Sequence, residues 1–314
     1  MSNTAHIRVS VIIPTYNYGE FIADALRSVE AQTLQDWECI VIDDASTDDT
    51  ASVVRTFIER DPRFRYIRLD RNAGVSVARN RGFQEARGAF IQMIDADDVI
   101  GPRKLEAQVA FLEKEPGVDV VYSDYVPFRG APDLSNPGAY RPDEQVSGAG
   151  DAIVSHLLRG NLFRLNTVLF RADLLKEVGG FRPDFRYVED WDFWLRIAST
   201  GHRFHFLNAP GTLSGVRTNP RSLSTDVPAM QRHYLPVLQH LWVHGGLSLT
   251  NRVNLLLRYS LFALNRVVLR TGEVVILQEG RWSFLPFVAL TCLILLPIWP
   301  FYRSYRLMRD RIDT

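Results

Sequence analysis

Apolar residues recur along the first 124 positions in two alternating rhythms. Short β-branched runs at Val9–Pro14 (VSVIIP), Trp37–Asp43 (WECIVID), Phe64–Leu69, Ala89–Ile94 and Val118–Ser123 predict buried strands. Between them, apolar positions at helical spacing predict helices: Phe21, Ala25, Leu26 and Val29 in the first, Val53, Val54, Phe57 and Ile58 in the second. Two more are predicted over Val75–Ala86 and Arg103–Glu115. Ser46 with Asp49 reads as a capping pair that starts the second helix. Strand and helix alternate four times, which predicts an α/β fold with a mostly parallel central sheet and helices on both faces. The turn after each strand faces the carboxyl edge of such a sheet, so Thr15, Asp43, Asp44 and Asp95 are expected to converge there.

The rhythm loosens after residue 124. Tyr125–Gly150 is rich in Pro, Gly, Asp and Ser and reads as a long loop. A less regular α+β part follows, with helices near Asp151–Leu158, Ala172–Val178 and from Glu189, and strands near Thr167–Phe170, Phe204–Leu207 and Gly211–Arg217. From about Asp226 the pattern turns helical and then strongly apolar. The expected division is a main domain over 1–225, in halves 1–124 and 125–225, and a C-terminal helical region over 226–314.

That last region suggests a membrane. Asn251–Gly272 carries Arg252, Arg258, Arg266 and Arg270 without an acidic residue, and Leu256, Leu257, Leu264 and Val268 fall on the other side of a helical wheel. The pattern suits an interfacial helix on anionic lipid, or a helix packed on the main domain. Trp282–Tyr302 then runs 21 residues without a charge, with Trp282, Trp299 and Tyr302 toward its ends. Pro286, Pro297 and Pro300, with arginines on both flanks, favour a re-entrant segment whose two ends stay in the cytoplasm over a single crossing. A buried soluble helix suits the three prolines poorly.

Composition narrows the classes. Lysine plus arginine balances aspartate plus glutamate at 36 each, so global charge gives no argument for nucleic acid. Cys39 and Cys292 offer neither a disulfide framework nor a zinc spacing, which fits a reducing compartment. The opening MSNTAHIR lacks the apolar core of a secretion signal, so the main domain is expected to face the cytoplasm. No GxGxxG follows the first strand, and a dinucleotide site is a poor match.

The candidate chemistry is carboxylate chemistry. The strand Ala89–Ile94 delivers Asp95, Asp97 and Asp98 within four positions. Acids packed that tightly repel one another unless a positive group sits among them. Hard divalent cations such as Mn²⁺ or Mg²⁺ take carboxylate oxygens and complete their shells with phosphates. The alternative is a solvated turn that caps the helix near Arg103. Glu189-Asp190 is the second acidic pair, at a helix start where acids also complement the helix dipole. Trp191, Phe193, Trp194 and Leu195 beside it can desolvate a carboxylate and raise its proton affinity, as a general base requires.

With VSVIIPTYN (Val9–Asn17), VIDDASTDDT (Val41–Thr50), RNAGVSVARNRG (Arg71–Gly82), IDADD (Ile94–Asp98) and VEDWDFWLRIASTG (Val188–Gly201) in this order, the chain resembles the family 2 glycosyltransferases, which have the GT-A fold. The resemblance covers roughly Val9 to Ser224 and implies a nucleotide-diphosphate sugar donor, a UDP-sugar in the typical case. It makes residues 1–124 the donor-binding half and 125–225 the acceptor-binding half. It implies that Pro14, Thr15, Tyr16 and Asn17 line the nucleoside pocket, that Asp43 bonds the base and that Asp44 shapes the same site. Helix capping is the alternative for Asp43 and Asp44. Arg71 and Arg79 match basic positions near the nucleotide and diphosphate; Asn72 and Gly74 fit ligand contact and a purely structural turn equally. Asp95 matches the ribose-side acid, Asp97 the direct metal ligand with Asp95 beside it, and Ala96 lies between them in the donor site. Asp190 matches the base, and Glu189 a neighbour that contacts or orients the acceptor.

One departure stands out: many relatives carry histidine where this chain has Asn219, which leaves Arg217 as the expected diphosphate partner. The reaction so implied is metal-dependent inverting transfer to a hydroxyl of a glycan or polyprenyl-linked acceptor, at the cytoplasmic face of a bacterial inner membrane. Tyr125–Gly150 and Asn161–Asn166 are expected to set acceptor choice. Two rivals are nucleotidyl transfer, which has no use for Glu189-Asp190, and a non-catalytic sugar-nucleotide-binding scaffold, against which the presence of both Asp97 and Asp190 counts.

Overall fold

The computed structural model describes residues 7–134, 145–219 and 227–256. The chain forms two compact units, Met1–Val237 and Leu238–Thr314. In the first, β1 (Val9–Thr15), β2 (Trp37–Asp43), β3 (Phe64–Arg68) and β4 (Phe90–Met93) form parallel pairs, ordered β3-β2-β1-β4. β1 and β2 are buried at every position, which their β-branched and apolar runs allow because helices cover both faces. The covering helices are α1 (Ile22–Glu30), α2 (Thr50–Ile58) and α3 (Val75–Glu85). α1 buries Ile22, Ala25, Leu26 and Val29, the face that its apolar spacing predicts. α3 lies so close to β1 that a Cβ on Gly82 would sit 2.4 Å from the Cγ2 atom of Ile12.

The second helix starts later than the proposed capping pair requires. α2 begins at Thr50, and Asp48 rather than Ser46 accepts the Thr50 N–H, at 3.1 Å. Ser46 instead accepts the Asn17 N–H at 2.9 Å and so ties the turn after β1 to the turn after β2.

Beyond β4 the sheet is mixed, which corrects the expectation of a mostly parallel one. β9 (Val168–Arg171) runs antiparallel between β4 and β6 (Val120–Tyr122). β10 (Arg203–Phe206) pairs parallel with β6 and antiparallel with β8 (Gly148–Ala149). The single sheet thus runs through both stretches 1–124 and 125–225. A second, three-stranded sheet places β11 (Ser214–Arg217) between β5 (Val99–Ile100) and β7 (Tyr125–Phe128). Its two outer strands are short, and β7 lies at the start of the stretch expected to be all loop. Residues 135–144 of that stretch lie outside the described residues.

α4 (Lys104–Lys114), α5 (Asp151–Leu157), α6 (Leu174–Val178) and α7 (Glu189–Ser199) complete the first unit's packing. α8 (Val227–His244) includes the boundary at Val237, and in the second unit residues 249–256 are also helical. Among the described residues no helix is long and apolar enough to cross a membrane. The run 282–302, and Asn251–Gly272 beyond residue 256, lie outside the described residues.

Candidate active site

The carboxyl edge of β1, β2 and β4 gathers the expected donor residues. Thr15 pairs in register with Asp43, and the Thr15 carbonyl accepts the Asp44 N–H at 2.8 Å. The buried Thr15 hydroxyl has no hydrogen-bond partner among the described residues, an orphaned polar atom at the strand end. Pro14 is buried just behind it, while Tyr16 and Asn17 are exposed. Asn17 takes a left-handed backbone, φ 57°, and its Oδ1 accepts the Thr47 N–H at 2.7 Å. Asp43 is fully buried. Its Oδ1 accepts the Ser46 N–H at 2.8 Å, and its Oδ2 accepts from the Tyr66 hydroxyl and from Arg68 Nη1, the latter at 3.1 Å. Asp44 accepts the N–H groups of Ala73 and Gly74 at 2.7 and 2.8 Å. It therefore anchors the 71–74 turn, where Gly74 has φ 94° and where Arg71 and Asn72 are exposed.

The acids after β4 stand close together. Burial, and then the neighbouring Asp95, push the Asp97 carboxyl up to about 6. Burial and both neighbours push Asp98 well above the usual carboxylate range. Ala96 is buried between Asp95 and Asp97. Asn219 donates to Asp97 Oδ2 at 3.3 Å, so the residue that departs from the usual histidine does lie beside the expected metal ligand. The acids offer only oxygen donors, which fits a hard divalent cation. Among the described residues no three His, Cys, Asp or Glu side chains are grouped to hold one unaided. Water or the phosphates of a ligand would complete the shell of such a cation.

Two basic residues of the expected donor site are held by the acids around them. Arg79 is buried and bridges the two acidic clusters, with Nη1 donating to Glu189 Oε1 at 2.6 Å and Nη2 to Asp95 Oδ1 at 2.9 Å. Arg217 is a strut. Its guanidinium donates to the Asp97 carbonyl at 3.0 Å, the Gly130 carbonyl at 2.6 Å and Asp24 Oδ2 at 2.7 Å, between the rings of Phe21 and Phe128. Its own N–H also donates to Asp98 Oδ1 at 2.9 Å. In this arrangement the Arg217 guanidinium orders the acidic turn.

The acid pair opens α7. Burial pushes Glu189 up to about 7 against the pull of Arg79, with Asp190 adding to the rise. Asp190 is raised as well, chiefly by burial and against the charges of Arg79 and Arg164. Its Oδ1 accepts the Trp191 N–H and its Oδ2 accepts from Asn161 Nδ2, both at 2.7 Å. Trp191 is itself pinned, its Nε1 donating to the Leu157 carbonyl at 2.7 Å. Phe193 and Trp194 are fully buried in an aromatic cluster with Phe170, so they serve the core. Arg79 thus joins two pieces 94 residues apart in sequence, Asp95 and Glu189: the turn after β4 and the start of α7 meet at one guanidinium.

Sequence reasoning did not single out Tyr66, Arg68, Asp24 or Arg164. Tyr66 and Arg68 alternate along a short strand, and only the β2–β3 register brings them to Asp43. Arg164 supplies positive charge near both Asp98 and Asp190 and lies over the Tyr125 ring at 5.4 Å.

Two family models match the chain: glycosyl transferase family 2 over residues 10–153 and glycosyl transferase family group 2 over residues 90–302. The chain belongs to the family 2 glycosyltransferases. It is 38% identical over 201 residues to a Bacillus subtilis protein provisionally named as the teichuronic acid biosynthesis glycosyltransferase TuaG, which covers 64% of this chain and 75% of that one. It is 32% identical over 190 residues to an uncharacterised protein of Sinorhizobium fredii, a match that spans 60% of this chain but 20% of that protein. Among solved structures, S. aureus TarS 1–349 with UDP-GlcNAc gives a TM-score of 0.64 at 20% identity over 90% of this chain and 79% of that one. The mannosyltransferase PcManGT from Pyrobaculum calidifontis, with GDP-Man and Mn²⁺, gives 0.59 at 21% identity over 98% and 85%. These two likenesses show a shared GT-A fold.

Proposed function

We propose that this glycosyltransferase moves a sugar from a UDP-sugar to a hydroxyl of a glycan or lipid-linked glycan, with inversion at the anomeric carbon. The observation that carries the reading is the Arg79 bridge, which holds the donor-side acid Asp95 and the acceptor-side acid Glu189 in one site. Asp190, next to Glu189, has a proton affinity raised by burial and both oxygens fixed by hydrogen bonds, which suits a general base. Asp190 takes the acceptor hydroxyl proton as that oxygen bonds to the anomeric carbon and the bond to the diphosphate breaks on the opposite face. Glu189, clamped by Arg79, orients the acceptor side of the site. Mn²⁺ or Mg²⁺ at Asp97, with Asp95 beside it, would neutralise charge on the departing nucleoside diphosphate. Asp43, at the carboxyl end of β2, would meet an imide N–H of the base with the lone-pair position left by Ser46, Tyr66 and Arg68, and the Thr15 backbone pairs beside it.

We further propose attachment to the cytoplasmic face of a bacterial inner membrane through residues 282–302, which suits a polyprenyl-linked acceptor. The support is the uncharged run and its flanking arginines. Fractionation tests it: a full-length chain that stays soluble without detergent sinks the attachment.

The reaction is tested with Asp190→Asn in a nucleotide-release assay and in a thermal-shift assay with UDP and Mn²⁺. The variant should keep the full UDP–Mn²⁺ shift and lose about 10²–10⁴-fold in turnover. Unchanged turnover overturns the assignment of the base; loss of the thermal shift together with turnover makes Asp190 structural.

A further inference from the structure

Asp190 is held by a residue from another element. Asn161 lies in the segment between α5 and Leu165, and its Nδ2 donates to Asp190 Oδ2 at 2.7 Å across 29 positions of sequence. The amide is itself oriented, because Asn161 Oδ1 accepts the Phe163 N–H at 3.2 Å. Turning the amide over would set oxygen against carboxylate and N–H against N–H, so both bonds would be lost. Phe163 is fully buried, stacked on Phe204 at 5.1 Å and edge-on to Trp194 of α7 at 6.0 Å. The segment that carries Asn161 is therefore anchored on the helix that carries Asp190.

We propose that Asn161 is a positioning residue for Asp190, fixing the plane of its carboxylate so that one free lone pair faces the acceptor hydroxyl. A carboxylate offers about four lone-pair positions. The Trp191 N–H on Oδ1 comes from the residue next in sequence, and alone it leaves the second oxygen free to swing. Asn161 on Oδ2 supplies the second point that defines the plane. A base misplaced by a fraction of an ångström loses rate without losing substrate affinity, and that split marks positioning. The bond also favours the ionised carboxylate, so it offsets part of the desolvation around Asp190 and keeps the base available near neutral pH. This inference rests on the reading of Asp190 as the base.

The groups that act on Asp190 are Glu189 on the same helix, Arg79 from α3, Arg164 from the Asn161 segment and Asp95 from the turn after β4. Substitution at Asn161 removes none of these groups. The test is carboxyl ¹³C NMR of the full chain labelled at aspartate, with Asp190→Asn identifying the resonance by its loss. In Asn161→Ala the Asp190 titration should move up by about one to two pH units, the loss of one charge-assisted hydrogen bond. Asn161→Ser, which keeps a donor, should shift it less. Nucleotide release from UDP-N-acetylglucosamine and GDP-mannose, whichever is turned over faster, should fall about tenfold at neutral pH in Asn161→Ala with its KM unchanged.

An Asp190 titration unmoved in both folded variants overturns the proposal. So does a fall in release that comes from KM alone. If the titration moves as expected while Asp190→Asn releases nucleotide at the normal rate, it is the base assignment that fails.

Discussion

Replacing Arg79 with methionine should destabilise the protein by an amount that grows with pH. Methionine keeps the apolar stem and removes the charge that bridges Glu189 and Asp95. The Asp95 side chain is 41% exposed, so water screens its share and the loss there is small. Glu189 is 9% exposed and stands beside Asp190, so its share decides the outcome. Stranding a buried charge costs about 3–5 kcal/mol when the group stays ionised. Glu189 can escape by binding a proton, and its carboxyl is already pushed up to about 7 from an ordinary 4.5.

The native state therefore holds more protons than the unfolded chain between those values, and stability falls as pH rises through that window. Without Arg79 the folded value climbs further and the window extends upward, at about 1.4 kcal/mol for each added unit. At pH 5.5 Glu189 is neutral in both proteins, and the difference shrinks to lost hydrogen bonds, about 1–2 kcal/mol. At pH 8.5 it should approach the full cost of the stranded charge. Urea unfolding of the full chain at both pH values measures this, and Arg79→Met with Glu189→Gln should flatten the pH dependence. Equal losses at pH 5.5 and 8.5, or a double variant no more stable than the single one, would refute the reasoning.

Asp97→Asn should fold normally and lose the Mn²⁺-dependent part of UDP binding, read by thermal shift; an undiminished Mn²⁺ effect would sink the metal assignment. Lys104 is fully buried, donates to the Ser123 hydroxyl at 2.9 Å and the Thr167 carbonyl at 2.6 Å, and burial lowers its amine well below the usual range. The unfolded chain then binds the extra proton below about 10.4, so stability contributed at this site rises with pH in that window. Lys104→Met should remove a slope of about 1.4 kcal/mol per pH unit from the stability curve, and parallel curves for the two proteins would contradict this.

The parallel half was legible because its strands are continuous apolar runs and its helices keep clean spacing. β5, at two residues, is too short to produce a pattern, and β7, at four, sits in a stretch dominated by turn-forming residues. The direction of β9 is invisible to periodicity, which reads the same in parallel and antiparallel strands. For the site, where the acids stand was legible and what the arginines bond was not. Asp43 ends β2, Asp95 and Asp97 stand in the turn after β4, and Asp190 lies in the first turn of α7, places that spacing predicts. Arg79 and Arg217 are long side chains whose reach is decided by what they pack beside. Arg79 turned to Glu189, 110 residues ahead, and Arg217 to Asp24, 193 residues behind.

The place of β9 sets a timetable for the chain as it is made. β1 to β4 can pair as soon as they emerge, but the free edge of β4 waits for β9. From Met93 to Val168 is 75 residues, about 4–15 s of synthesis at ~5–20 residues per second. Through that interval β4 presents open N–H and C=O groups on a buried, apolar strand, the kind of edge that recruits foreign strands. β6 emerges meanwhile and cannot close the gap in its native position, because its own partner is the same missing strand. Ribosomes stalled between residues 93 and 168 should therefore carry nascent chains that bind chaperones, and release past Arg171 should end that binding.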